Sequence, residues 1–142
     1  MKKVNFLSLF VLILFLTSCD PGHNINFINN GTSIAKVKLK IDPKTEEYGL
    51  KQYKKGDSII LNLKPGLVEN DQGTIFFGMG TWSDTNIKEL SKSIKSIEIE
   101  NYNYKIVCKS EYSIIKLLSE NRKGYWMKTD IDININDYLL NQ

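Results

Sequence analysis

NINFINNGTSIAKVKLKID, residues 24–42, alternates twice, once on each side of Asn29-Asn30-Gly31. Before those three residues Ile25 and Phe27 interleave with Asn24 and Asn26, and after them Val37, Leu39 and Ile41 interleave with Lys36, Lys38 and Lys40. Successive side chains of a strand point to opposite faces, so a period of two builds one apolar face and one polar face. Asn-Gly tolerates the positive φ angles of a tight two-residue turn, so the stretch predicts a β-hairpin. Lysines at alternate positions read as a solvated strand face or an edge guarded against pairing; a functional basic stripe is the rival reading.

The segments that follow keep this character. PKTEEYGLKQYKKGD (43–57) reads as a polar connection. SIILNLKPG (58–66) reads as a strand closed by Pro65-Gly66, and GTIFFGMGTW (73–82) as another. In SDTNIKELSKSIKSIEIEN (83–101), Ile87, Leu90, Ile94 and Ile97 hold helical spacing while Ile97 and Ile99 alternate. The reading that satisfies both is a short helix from Asp84 to Asn86 onward, then a strand from about Ser96. Asn101-Tyr102-Asn103 turns that strand into Tyr104–Cys108, a second hairpin. SEYSIIKLLSENRKG (110–124) has the strongest helix signals: a Ser110 cap, Glu111 in the first turn, an Ile114/Leu117/Leu118 face and Gly124 at the close. YWMKTDIDININ (125–136) ends the chain as a strand. About seven strands imply a mainly β fold, an antiparallel β-sandwich-like domain with one or two short helices. The alternative is an α+β fold with the helices on one face of an antiparallel sheet.

The N-terminus has a different design. Lys2 and Lys3 precede Val4–Leu16, a run of 13 residues broken only by Asn5 and Ser8, and Asp20, Pro21 and Gly22 follow soon after. This is the layout of an export signal, and it falls short of the roughly 20 apolar residues that span a bilayer. Leu16-Thr17-Ser18-Cys19 resembles the lipobox of bacterial lipoproteins. That resemblance, which covers only the first 19 residues, implies a signal peptide at 1–18, diacylglycerol on Cys19 and acylation (palmitate) of its new amino group; a lipidated tether at 19–23 would then lead into the single β-rich globular domain that length and strand pattern predict at 24–142. It also implies anchoring in a cell-envelope membrane, expected to be the outer one, with the domain facing the periplasm or the cell surface. Lysine outnumbers arginine 18 to 1 and alanine occurs once. With the lipobox, this composition resembles small lipoproteins of the Bacteroidetes.

Cleavage before Cys19 would leave 142 − 18 = 124 residues, with 17 basic against 16 acidic side chains once Lys2 and Lys3 are gone. A balance so close to neutral gives no footprint for nucleic acid. Cys108 would then be the only thiol, and its place after Tyr104 and Ile106 points it inward as a small hydrophobe. His23 is the only histidine, so a triad or a histidine-rich metal site has no material. Asp130, Asp132 and Asn134 begin like a calcium loop, but Ile135 and Asn141 stand where its Gly and bidentate Glu belong. Gly78 and Gly80 lack the third glycine of a dinucleotide fingerprint. Glu46 with Glu47, and Glu98 with Glu100, read as solvated charge. No catalytic residue, metal or cofactor is assigned on these grounds.

Two ligand readings remain. Trp82, Tyr125 and Trp126 could form a flat platform for a glycan or a peptide, or serve as core. Arg122 sits in the predicted last helical turn, where interaction with the helix dipole is the default and carboxylate recognition the alternative. Asp57-Ser58-Ile59 resembles the O-glycosylation motif of exported Bacteroidetes proteins, which would make Ser58 a modification site. The function expected is a membrane-anchored, non-catalytic binding or structural module with an envelope protein or glycan as partner. A carboxylate-based envelope hydrolase is a more distant alternative.

Overall fold

The computed structural model describes residues 22–66, 73–124 and 128–138. Eight strands and three short helices follow in the order β1 (Gly22–Asn29), β2 (Ala35–Ile41), α1 (Tyr48–Tyr53), β3 (Ser58–Leu63), β4 (Thr74–Met79), α2 (Asp84–Ser93), β5 (Ile94–Glu100), β6 (Lys105–Cys108), α3 (Glu111–Glu120), β7 (Arg122–Lys123) and β8 (Asp130–Ile135). They form two four-stranded sheets, β4-β1-β8-β7 and β3-β2-β5-β6. The mainly β, sandwich-like expectation holds. The first sheet is mixed, however, because β1 and β8 run parallel.

The alternating residues supply the core between the sheets. Ile25, Phe27, Ile75, Ile131 and Ile133 face inward from one sheet, and Val37, Leu39, Ile41, Ile59, Ile97 and Ile99 from the other, all buried. Each such side chain contributes on the order of 1.5–3 kcal/mol by leaving water. α2 and α3 pack on each other, and α3 also touches β5 and β8, one strand of each sheet. Ile87, Leu90, Ile114 and Leu118 thereby close one flank of the core.

Several local expectations hold. β5 and β6 pair antiparallel about the Asn101–Tyr104 turn. The helix expected from Asp84 to Asn86 onward starts at Asp84, where Ser83 caps it by accepting from the Asn86 amide at 3.1 Å. Ser110 caps α3, with Ser110 and Ser113 satisfying each other's backbone amides at 3.1 Å. Cys108 is a free, half-buried thiol packed against the core, and burial pushes its pKa up, which disfavours the reactive thiolate.

Four expectations are corrected. β1 and β2 do not form a hairpin; they lie in different sheets, and Asn29-Asn30-Gly31 crosses between them. Gly31 is not among the glycines with positive φ. The side chain of Asn29, only 7% exposed, instead holds the crossing: its amide donates to the Ser33 carbonyl at 2.8 Å and to the Leu63 carbonyl at 2.9 Å, and its oxygen accepts from the Gly31 amide at 3.0 Å. Gly22 and His23, expected in the segment 19–23 ahead of the domain, belong to β1. The polar connection 43–57 contains α1, which docks because Gly49 has no side chain: a Cβ there would lie 2.5 Å from the Phe77 ring, and Leu50 beside it is fully buried. Finally α3 ends at Glu120, before Gly124, because Asn121 caps it by donating to the Leu117 carbonyl, and the chain passes directly into β7.

The lysine face of β2 lies beside the acidic face of β5, with Lys36 opposite Glu100 and Lys38 opposite Glu98. Lys105 on β6 reaches Glu98 at 2.9 Å and Glu100 at 3.5 Å. This is a solvated, charge-balanced strand face. The Lys105 hydrogen bond holds the Glu98 carboxyl below its ordinary value of 4.5. A carboxylate depressed in the folded state stabilises above its unfolded pKa and loses that contribution as pH falls through the folded one. Glu98→Gln is therefore expected to flatten the acid limb of a stability-versus-pH curve below about pH 4.5 and to leave the neutral plateau within about 0.5 kcal/mol, read by urea denaturation at stepped pH.

Candidate functional site

Of the residues singled out in the sequence, Cys19, Tyr125 and Trp126 lie outside the described residues. Trp82 is 3% exposed and belongs to the core. Its indole meets Phe77 edge-on with centroids 5.0 Å apart and His23 at 4.7 Å, and its Nε1 donates to the Asn24 carbonyl at 2.9 Å. A ring enclosed in this way offers no open face, so Trp82 drops out of the aromatic platform. Ser58 is 7% exposed, with its hydroxyl donating to Asp57 at 2.8 Å, so the folded domain does not present it for glycosylation.

Arg122 is on β7 instead of in a helix, and its guanidinium binds the Asp84 carboxylate at 2.7 Å while donating to the Trp82 carbonyl at 3.3 Å. It recognises a carboxylate, but one inside the protein, clamping β7 to the first turn of α2. Asp130, Asp132 and Asn134 are a strand, as their alternation with isoleucine implies. They accept from Asn24 at 3.1 Å, from Asn26 at 2.8 Å and from Asn30 at 2.8 Å. The calcium-like pattern is thus a ladder of amide and carboxyl groups bonding the parallel pair β1 and β8. Among the described residues no group of three His, Cys, Asp or Glu side chains is arranged to hold a metal ion.

Two further places stand out among the described residues. The first is a cleft of about 140 Å³ beside the start of β1, walled by His23, Phe77 and Trp82 and edged by Glu47, Asn86 and Glu89. Its imidazole is engaged through Nδ1, 3.0 Å from the Gly78 carbonyl. Among the described residues no hydroxyl or thiol is hydrogen-bonded to it.

The second place is the opposite end of β1, where three connections meet. The β1–β2 crossing attaches through the Thr32 amide, which donates to Asp137 Oδ1 at 2.8 Å. The β5–β6 turn attaches through Asn103, whose amide donates to the Asp137 carbonyl at 2.8 Å, and through Asn101, which donates to the Asn136 carbonyl at 2.9 Å. Asn101 also accepts from the backbone amides of Asn103 and Tyr104, so the turn is fixed from within. On this rigid base stand Tyr102, 89% exposed, Tyr138, 76% exposed, and Ile34, 64% exposed. The β2–β5 register ends with Lys36 opposite Glu100, and Ile34 and Tyr102 each stand two residues beyond that last pair.

Tyrosines rigid on two χ angles and set among asparagines are the material of adaptable recognition surfaces, and loops on a sandwich end commonly carry function. The tip was not singled out from the sequence, although Tyr102 carried a signal: an aromatic flanked by asparagines in a tight turn has nothing of its own hairpin to pack on. Comparison of the chain with protein-family models, with curated proteins and with solved structures returns no match.

Proposed function

We propose that this chain is a lipid-anchored binding module of a bacterial envelope, held in the membrane at Cys19 and presenting the Ile34–Tyr102–Tyr138 tip to a partner. The anchor half of this reading rests on the Leu16-Thr17-Ser18-Cys19 motif behind a short apolar run. The observation that carries the recognition half is the convergence of three connections on Asn136 and Asp137 beneath exposed aromatic side chains. The two halves fit together, because β1 starts three residues after Cys19 and runs to Asn29 at the tip, placing the tip one strand length away. That length is about 23 Å at strand rise.

The partner is an envelope protein or a glycan. Exposed amides beside Tyr102, such as Asn103 and Asn30, favour the glycan as a second reading, since sugar hydroxyls pair with amides while the sugar face stacks on an aromatic ring. Trp82 takes no part in that reading.

One experiment with two variants tests the proposal. Cys19→Ala is expected to move the protein out of the membrane fraction, and retention there would place the anchor elsewhere. A triple variant Ile34→Ser/Tyr102→Ala/Tyr138→Ala is expected to unfold within about 0.5 kcal/mol of wild type, as exposed positions do, yet to lose the envelope protein or glycan that the wild type retains on a column. Equal retention by both would remove the tip from the proposal.

A further inference from the structure

The two ends of β1 are apolar for different reasons. At its start, Gly22 pairs with Met79 of β4, which is 64% exposed. The Phe76 ring, on a residue 37% exposed, lies over Gly22: a Cβ on that glycine would sit 3.0 Å from the ring. α1 docks on the same strand, with Gly49 against Phe77 and the Phe76 carbonyl and with Gln52 donating to that carbonyl at 2.9 Å. Tyr48, beside Gly49, is 64% exposed. Phe76 and Met79 thus flank Gly22, and Tyr48 is exposed on the helix docked against the same strand.

We infer that this face rests on the lipid bilayer, with Met79, Phe76 and Tyr48 in the headgroup layer. The inference rests on the Cys19 anchor proposed above and adds an orientation to it. Cys19 and Gly22 are three residues apart. Even fully extended, that span cannot exceed about 11 Å. An acylated Cys19 sits at the boundary of the hydrocarbon core, and the headgroup layer above it is roughly 5–8 Å thick. Gly22 is therefore held at the membrane surface, and whatever surrounds Gly22 must meet lipid. What flanks it is an aromatic ring and a thioether, with a tyrosine on the neighbouring helix, side chains that gain by entering the interface. The same placement turns the cleft of His23 toward the membrane plane and the Tyr102 tip away from it.

The test uses the full lipidated protein in vesicles of phosphatidylethanolamine and phosphatidylglycerol. Nitroxide labels are placed at Met79→Cys, at Tyr48→Cys and, as the aqueous reference, at Tyr102→Cys, each in a Cys108→Ser background. All three labelled side chains are exposed, so each variant keeps the packed core. Mass measurement of the acyl groups on Cys19 and flotation with the vesicles report the anchor separately. The expected result is acylated protein in which collision with oxygen relative to an aqueous nickel chelate is roughly threefold higher at 79 and 48 than at 102, as for groups in the interface. Equal ratios at all three sites in acylated protein would overturn the inference and leave the anchor standing. Labels at 79 and 48 shielded from both quenchers would mean that a second copy covers the face, which also overturns it. Absence of acyl groups would remove the anchor and this inference together.

Discussion

Asn29→Ala is expected to destabilise the domain by about 3 kcal/mol, read as a lowered urea midpoint at unchanged m-value. The residue is buried, and truncation strands the Leu63 carbonyl and the Gly31 amide, both in buried hydrogen bonds, as well as the Ser33 carbonyl. Each buried group left without a partner costs about 1–3 kcal/mol, whereas an exposed hydrogen bond of the same type costs little. Asn30→Ala, which removes the exposed bond to Asn134, is the control and should stay within about 0.5 kcal/mol of wild type.

Asn29→Asp sharpens the test. The carboxylate still accepts from Gly31 but faces two carbonyl oxygens with no proton to give them. Its charged form is disfavoured in the folded state, so its folded pKa is raised above the unfolded value of about 3.9. The stability of this variant is then greatest below that unfolded value and is lost as pH rises through the folded one. Asn29→Asp should therefore be worse than Asn29→Ala at neutral pH and should recover on acidification. A variant insensitive to pH would mean that the crossing between the sheets is held by something other than this side chain.

The second large effect belongs to Trp82. Trp82→Ala is expected to cost about 3–5 kcal/mol, the range for removing a buried aromatic. The indole fills the space between Phe77 and His23, and its loss opens the cleft while leaving the Asn24 carbonyl without its donor. Trp82→Phe retains a ring and forfeits the hydrogen bond, so about 1–2 kcal/mol should go. A loss under about 1 kcal/mol for the alanine variant would show that the ring is not core, and would return it to the surface role its type suggested.

What the sequence disclosed and what it concealed divide along a physical line. Faces and caps are local, so the inward set from Ile25 to Ile133, the Ser110 cap and the β5–β6 hairpin could all be read from neighbours in the chain. Partners are not local. The pattern in Asn24–Phe27 says which face of β1 is apolar, but not that the neighbouring strand is β8, 106 residues away and parallel. The clue was two polar sets at the same two-residue period, Asn24 and Asn26 beside Asp130 and Asp132. Amides suit carboxylates, but many other pairings suit them as well. α1 was hidden because six residues with Leu50 as their main buried side chain make no period. Its docking depends on what Gly49 lacks. The tip was legible only at Tyr102, since Ile34 and Tyr138 join it through bonds to Asp137 that no spacing announces.

The parallel pairing of β1 with β8 also fixes how the molecule answers to force. The strand that begins three residues after the proposed anchor and the strand that ends at the tip run side by side through six consecutive paired positions, Asn24–Asn29 against Asp130–Ile135. Tension between the membrane and the far end slides these strands along each other, so the load is shared across the whole joint at once. In a hairpin the same pull would peel rungs apart singly. With the anchor proposed at Cys19, the line of pull would run along this six-position joint.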